Sequence, residues 1–119
     1  MHKISVTEIK EKRSRFIVYL YEVSSQDDMK QALEEIKAEH RKADHILRVA
    51  RFVNNYGIYV TEASEDKEPI SSMRKAASLM EKKDIRDRAV FIVRYFGGIK
   101  FGASYLDKVY LTLAMKPLS

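Results

Sequence analysis

The segment Val90-Phe91-Ile92-Val93-Arg94-Tyr95-Phe96-Gly97-Gly98-Ile99-Lys100-Phe101-Gly102 passes from a long apolar run into a glycine-rich bend. A run rich in Val, Ile and aromatics, ended by Gly-Gly, reads as a central strand covered on both faces. Ser104, with Asp107 three residues on, has the pattern of a helix cap, so a last helix is expected to start there. A glycine turn opening into a helix leaves free backbone N–H groups beside a cation, here Lys100. Such a place suits an anion.

Outward from this segment the chain changes period several times. Ile4 to Lys10 alternates apolar and polar residues, as an edge or half-buried strand does. Beyond the charged turn Glu11-Lys12-Arg13-Ser14-Arg15, the run Phe16 to Tyr21 predicts a second strand. Ser24 and Ser25, followed by Asp27 and Asp28, supply overlapping caps for a first helix. Its apolar stripe is Met29, Ala32, Leu33, Ile36 and His40. His45 to Val53 alternates again, Asn54-Asn55-Tyr56-Gly57 marks a turn, and Ile58 to Thr61 is its hairpin partner. The acidic stretch Glu62 to Glu68 ends at Pro69, where a second helix with the stripe Met73, Ala76, Ala77 and Met80 is expected. The order β-β-α-β-β-α-β-α predicts an α+β, two-layer sandwich: a mixed, mostly antiparallel sheet with helices on one face. Val90, Ile92 and Phe96 are expected to be buried against Leu33, Ile36, Val109 and Leu113.

Composition narrows the function classes. With 119 residues and no linker-like tract, residues 1–119 are expected to form a single domain with no second one. Apolar residues at 45% and charged residues at 33% describe a globular chain rather than a disordered one. No apolar run approaches the ~20 residues that cross a bilayer, and the first residues lack a signal-peptide core. The expected setting is cytoplasmic, with no membrane contact. The absence of cysteine removes disulfides, thiol catalysis and thiolate metal sites. A formal net charge of +5 favours polyanionic partners, although a solvated excess of lysine would give the same total.

The candidate anion surface comprises Arg94, Lys100, Arg48, Arg51, Arg13 and Arg15, with Lys12. Arg48 and Arg51 are an odd number of residues apart, so on one regular strand they point to opposite faces. Arg94 interrupts an apolar strand, where its guanidinium either reaches a ligand carboxylate or phosphate or pairs internally with Glu65, Asp66 or Glu68. Gly97 to Gly102 either cradles a phosphate or is a tight strand-to-helix connection; it is no Walker loop, since no Gly-Lys-Ser/Thr follows. Glu65, Asp66 and Glu68 beside Lys67 read as a solvated loop before a cation site. His2, His40 and His45 are too scattered for a metal motif, and Gly102-Ala103-Ser104-Tyr105-Leu106 lacks the final glycine of a nucleophile elbow. No catalytic residue, metal ligand set or cofactor is picked out. Some of the tyrosines are candidate base-stacking platforms, which sequence does not sort from core.

Several segments, in order, resemble the IMPACT/YigZ family. Lys12-Arg13-Ser14-Arg15-Phe16-Ile17 is similar to its KKSRFIA opening, and Ala43 to Arg51, with His45, to its AxHxxxAxR strand. Gly57-Ile58 with Ser64-Glu65-Asp66-Lys67-Glu68-Pro69 resembles GIxxxSDDGEP. Arg94 to Gly102, with Tyr95, Gly97, Gly98 and Gly102, resembles RYFGGIKLG. The chain departs from the pattern at Lys67 in place of the GEP glycine, through Ile70-Ser71-Ser72-Met73-Arg74, and at Ser104-Tyr105. The resemblance implies a fold like the second domain of a small-subunit ribosomal protein. It also implies a role around translation, through nucleic acid or through a ribosome-associated activator of a starvation-response kinase. Bacterial relatives carry a second, ferredoxin-like domain that this chain is expected to lack.

The combined expectation is a non-catalytic binding or regulatory module associated with translation. Its expected partner is RNA or a ribosome-associated protein, and no oligomeric state is implied. The alternatives are a protein-interaction regulator of a starvation-response pathway without nucleic-acid contact, and an enzyme acting on a phosphate-containing small molecule.

Overall fold

The element order read from the sequence is the order found in a computed structural model, which describes residues 1–119. It runs β1 (His2–Glu11), β2 (Ser14–Glu22), α1 (Gln26–Glu39), β3 (His45–Val53), β4 (Tyr59–Ser64), α2 (Ser72–Lys82), β5 (Arg88–Tyr95) and α3 (Ala103–Met115). The strands lie in the order β1-β2-β5-β3-β4, and every neighbouring pair is antiparallel. The α+β class and the antiparallel sheet are as expected; the parallel component of a mixed sheet is absent. The most apolar strand, β5, takes the middle, where both of its faces are covered.

The helices do not share one face. Phe16, Val18 and Leu20 of β2, with Val90 and Ile92 of β5, pack under α2 and α3 through Met73, Met80, Leu106, Tyr110 and Leu113. The alternate residues Ile17, Tyr19, Tyr21, Phe91 and Val93 turn the other way, against Met29, Ala32 and Ile36 of α1. The molecule therefore has three layers rather than two, and Leu33 and Ile36 meet the face opposite Val90 and Ile92. Handedness is the physical reason for the difference. The β2–α1–β3 and β4–α2–β5 crossovers each join parallel strands and travel in opposite directions along the sheet. Two right-handed crossovers of that kind put both helices on the same face, and about 98% of such connections are right-handed. Opposite faces require one crossover of the uncommon hand.

Two other expectations change. Phe96 lies past the end of β5 and is 47% exposed, because the bend lifts it out of the core. Helix α3 is capped by Gly102 at φ 78°, with Ser104 already inside the first turn. Asp107 instead serves α2: its carboxylate accepts from the Ser71 N–H at 2.9 Å and pairs with Lys75. In α1 the expected caps form: the Ser25 hydroxyl accepts from the Asp28 N–H at 3.1 Å, and the Asp28 carboxylate accepts from the Ser24 N–H at 2.8 Å.

Candidate functional site

The β1–β2 turn, the start of β3, the loop from β4 to α2 and the bend after β5 all come to one end of the sheet. The turns there hold residues in left-handed backbone: Lys12 and Arg13 at φ 45° and 67°, Asp66 and Lys67 at φ 48° and 67°. Two non-glycine residues in that region strain a hairpin by about 1–2 kcal/mol each. Packing holds the first turn in place. A Cβ on Gly97 would sit 2.0 Å from the Arg13 carbonyl oxygen, so glycine alone lets the bend close onto the hairpin.

Arg94 lies beneath this junction, 5% exposed. Its Nη1 donates to Glu68 Oε2 at 2.7 Å, and its Nη2 and Nε donate to the Ser14 hydroxyl at 3.3 and 3.4 Å. The guanidinium stands 4.9, 5.4 and 5.6 Å from the rings of Phe101, Phe96 and Phe16. Glu68 also accepts from the Tyr110 hydroxyl, and His45 Nε2 lies 3.1 Å from its other oxygen. Burial foremost, then the Glu68 carboxylate, raises the Tyr110 pKa, so the phenol stays a donor. The family-motif residues Glu68, Arg94, His45 and Gly97 thus form an internal clamp between the acidic loop and the glycine bend. Arg94 takes the ion-pair alternative, and Glu68 is its partner.

The other carboxylates at this end are engaged as well. Glu65 pairs with Arg74 at 3.0 Å and accepts its backbone N–H; the Asp66 carboxylate accepts from the Ile46 N–H at 2.7 Å. Asp44 accepts from the Phe96 N–H at 2.7 Å, and Glu11 from the Tyr105 hydroxyl at 3.0 Å. Among the anticipated cations, Arg15 pairs with Glu8, Arg48 with Glu62 and Arg51 with Asp84, and the last two do point to opposite faces. That leaves Lys12, Arg13 and Lys100, joined by Arg41, Lys42 and Lys67, all exposed and in no ion pair. Lys12 lies 4.6 Å over the Tyr105 ring. Sequence reasoning did not pick out Arg41, Lys42 or Phe96. They join the surface because Asp44 ties the α1–β3 turn to the bend, accepting the Phe96 N–H and donating its own N–H to the Arg94 carbonyl.

On the α1 face of the same end, His40 bridges the helix to the sheet. Its Nε2 lies 2.6 Å from the Tyr19 hydroxyl and its Nδ1 2.7 Å from the Tyr95 hydroxyl, while Tyr19 donates to Glu39 at 3.0 Å. Burial lowers the His40 pKa and the Arg15 charge adds to that, against the opposing pull of Glu39.

With this arrangement in view, a family model described as the Impact N-terminal domain matches residues 12–118. The chain belongs to the IMPACT family. The IMPACT family member YvyE of Bacillus subtilis (strain 168) is 31% identical over 104 residues, which are 87% of this chain and 47% of that protein. An IMPACT family member of Haemophilus influenzae is 30% identical over 100 residues, 83% of this chain and 48% of that protein. The chain spans about half the length of these IMPACT relatives. A crystal structure of a hypothetical protein aligns with TM-score 0.80 at 25% identity, over 95% of this chain and 55% of that one. The two-domain translational regulator Yih1 aligns with TM-score 0.53 at 20% identity, over 93% of this chain and 45% of its own, a likeness of fold. Two of the segments that resemble the IMPACT pattern, Ser64–Pro69 and Arg94–Gly102, are those that the Glu68–Arg94 pair joins.

Proposed function

We propose that the chain is a non-catalytic, cytoplasmic binding module associated with translation, which grips RNA with the cationic end of its sheet. The observation that carries the reading is the uneven pairing of charge at that end. Each carboxylate named there already has a partner within the protein, in Arg94, Arg74, a backbone N–H or a tyrosine, whereas Lys12, Arg13, Arg41, Lys42, Lys67 and Lys100 face solvent in no ion pair. A polyanion gains from such a surface by releasing its condensed counterions. Family membership supports the placing near translation.

The test is fluorescence anisotropy with a labelled RNA over a salt series. For single strands each neutralised phosphate contributes about 0.7 to the slope of log affinity against log salt. Lys100→Ala should weaken binding several-fold and flatten that slope without lowering thermal stability. Undetectable binding at low salt would reject the RNA reading. A second reading, a regulator acting through a protein partner alone, is favoured by the β3–β4 hairpin tip, where Tyr56 is 87% and Ile58 59% exposed.

A further inference from the structure

Phe96, 47% exposed, is the most exposed ring at the cationic end, and its backbone and one neighbour anchor it. Its N–H is anchored to Asp44 at 2.7 Å, and the Arg94 guanidinium supports the ring at 5.4 Å. Arg94 is itself pinned by Glu68 and Ser14. Tyr105, the other half-exposed ring, is already occupied: Lys12 lies over it and its hydroxyl is tied to Glu11. Beside Phe96 opens a cleft of about 240 Å³, walled by Phe101, Pro69, Leu106 and Lys100. Drug-sized pockets begin at ~300 Å³, so this one suits a single planar ring system rather than a whole nucleotide.

We propose that this cleft takes an unpaired base stacked on Phe96, with Lys100, Lys12 and Arg13 on the flanking phosphates, so that the ligand is single-stranded or looped RNA rather than continuous duplex. The inference rests on the RNA reading above and specifies its form. The bases of an A-form duplex are stacked on one another, and a lone ring on a protein surface reaches a base face only where the strand is unpaired. Stacking on an aromatic is tolerant of base identity, so little sequence preference is expected. The exposed cations at this end that are in no ion pair, Lys100, Lys12 and Arg13 among them, favour a nucleic acid over an apolar peptide.

The experiment compares one short mixed-sequence RNA, as single strand and as blunt duplex, against the intact chain and its Phe96→Ala, Phe96→Tyr and Lys100→Ala variants. The single strand should bind on the order of tenfold more tightly than the duplex. Phe96→Ala should remove that preference by weakening the single strand alone, Phe96→Tyr should keep it, and Lys100→Ala should weaken both forms together. Circular dichroism melting of each variant separates loss of the ring from loss of the fold. Equal binding of both forms by the wild type, or an unchanged preference in Phe96→Ala, would overturn the stacking site while leaving the cationic surface standing. No binding of either form would overturn the RNA reading with it. Displacement of the single strand by an acidic peptide of equal potency would assign the cleft to a protein partner and reject the proposal.

Discussion

The two ends of the sheet pair their arginines in different ways, one at the surface and the other beneath it. At the far end Arg51 and Arg86 share Asp84, at 2.8 and 2.9 Å, and lie 5.2 and 5.0 Å from the Tyr59 ring. Tyr59 donates to Asp87 at 3.1 Å, and Arg88 faces Glu22 at 3.7 Å. The arginines there are neutralised at the surface, while Lys82, Lys83 and Lys116 remain unpaired. At the near end the buried Arg94 consumes Glu68 below the surface, the other acids cap backbone or hold side chains, and the outer cations stay free. A net charge of +5 is therefore a poor guide on its own. What matters is which charges the fold pairs with each other and which cations it leaves at the surface without a partner.

The largest effect should come from breaking the buried pair. Arg94→Ala leaves Glu68 inside the protein without its cation, and removing one partner of a buried pair costs about 3–5 kcal/mol. Arg51→Ala, at a pair whose acid is 58% exposed, should cost no more than about 1 kcal/mol. Equal denaturation midpoints for the two variants would erase the distinction between the ends.

Next in size is the effect on binding. Replacing Lys12, Arg13 and Lys100 together by alanine should flatten the salt dependence by about 0.7 for each phosphate that is no longer neutralised. The same treatment of Lys82, Lys83 and Lys116 should leave the slope unchanged. If the far-end variant is weakened as much, the RNA surface has been placed at the wrong end.

A smaller effect concerns pH. His40 faces Glu39, Tyr19, Tyr95 and Arg15, and burial sets its folded pKa below its ordinary 6.5. The unfolded chain then binds the proton more readily, so the stability from this site is complete above pH 6.5 and declines as pH falls from there toward the folded pKa. His40→Gln should reduce the slope of stability against pH in that window, read from urea midpoints. The smallest change is expected at Tyr56, fixed only through its backbone N–H to Asn54. Tyr56→Ala should shift stability by less than about 0.5 kcal/mol and leave RNA affinity alone, and a fall in affinity would revive the hairpin tip as a binding surface.

Local chemistry was legible without the fold. The apolar run of β5, the Ser25 cap of α1, the Asn54–Gly57 turn and the opposite facing of Arg48 and Arg51 depend on residues a few positions apart, where period and turn preference act directly. The candidate surface was half legible. Arg13 and Lys100 stood out by sitting in glycine-rich or charged turns, while Arg41 and Lys42 looked like ordinary surface and Phe96 like core, and all three joined it only through Asp44. Tertiary structure alone selected Glu68 over Glu65 and Asp66 as the partner of Arg94, gave the α3 cap to Gly102, sent Asp107 to α2, and set the Gly97 backbone against Arg13. It also placed α1 and α2 on opposite faces. The reason is common to all of these. Amphipathic periodicity says that a side chain is covered but not by what, and the covering element arrives through long-range closure, whose hand and partners no local pattern encodes.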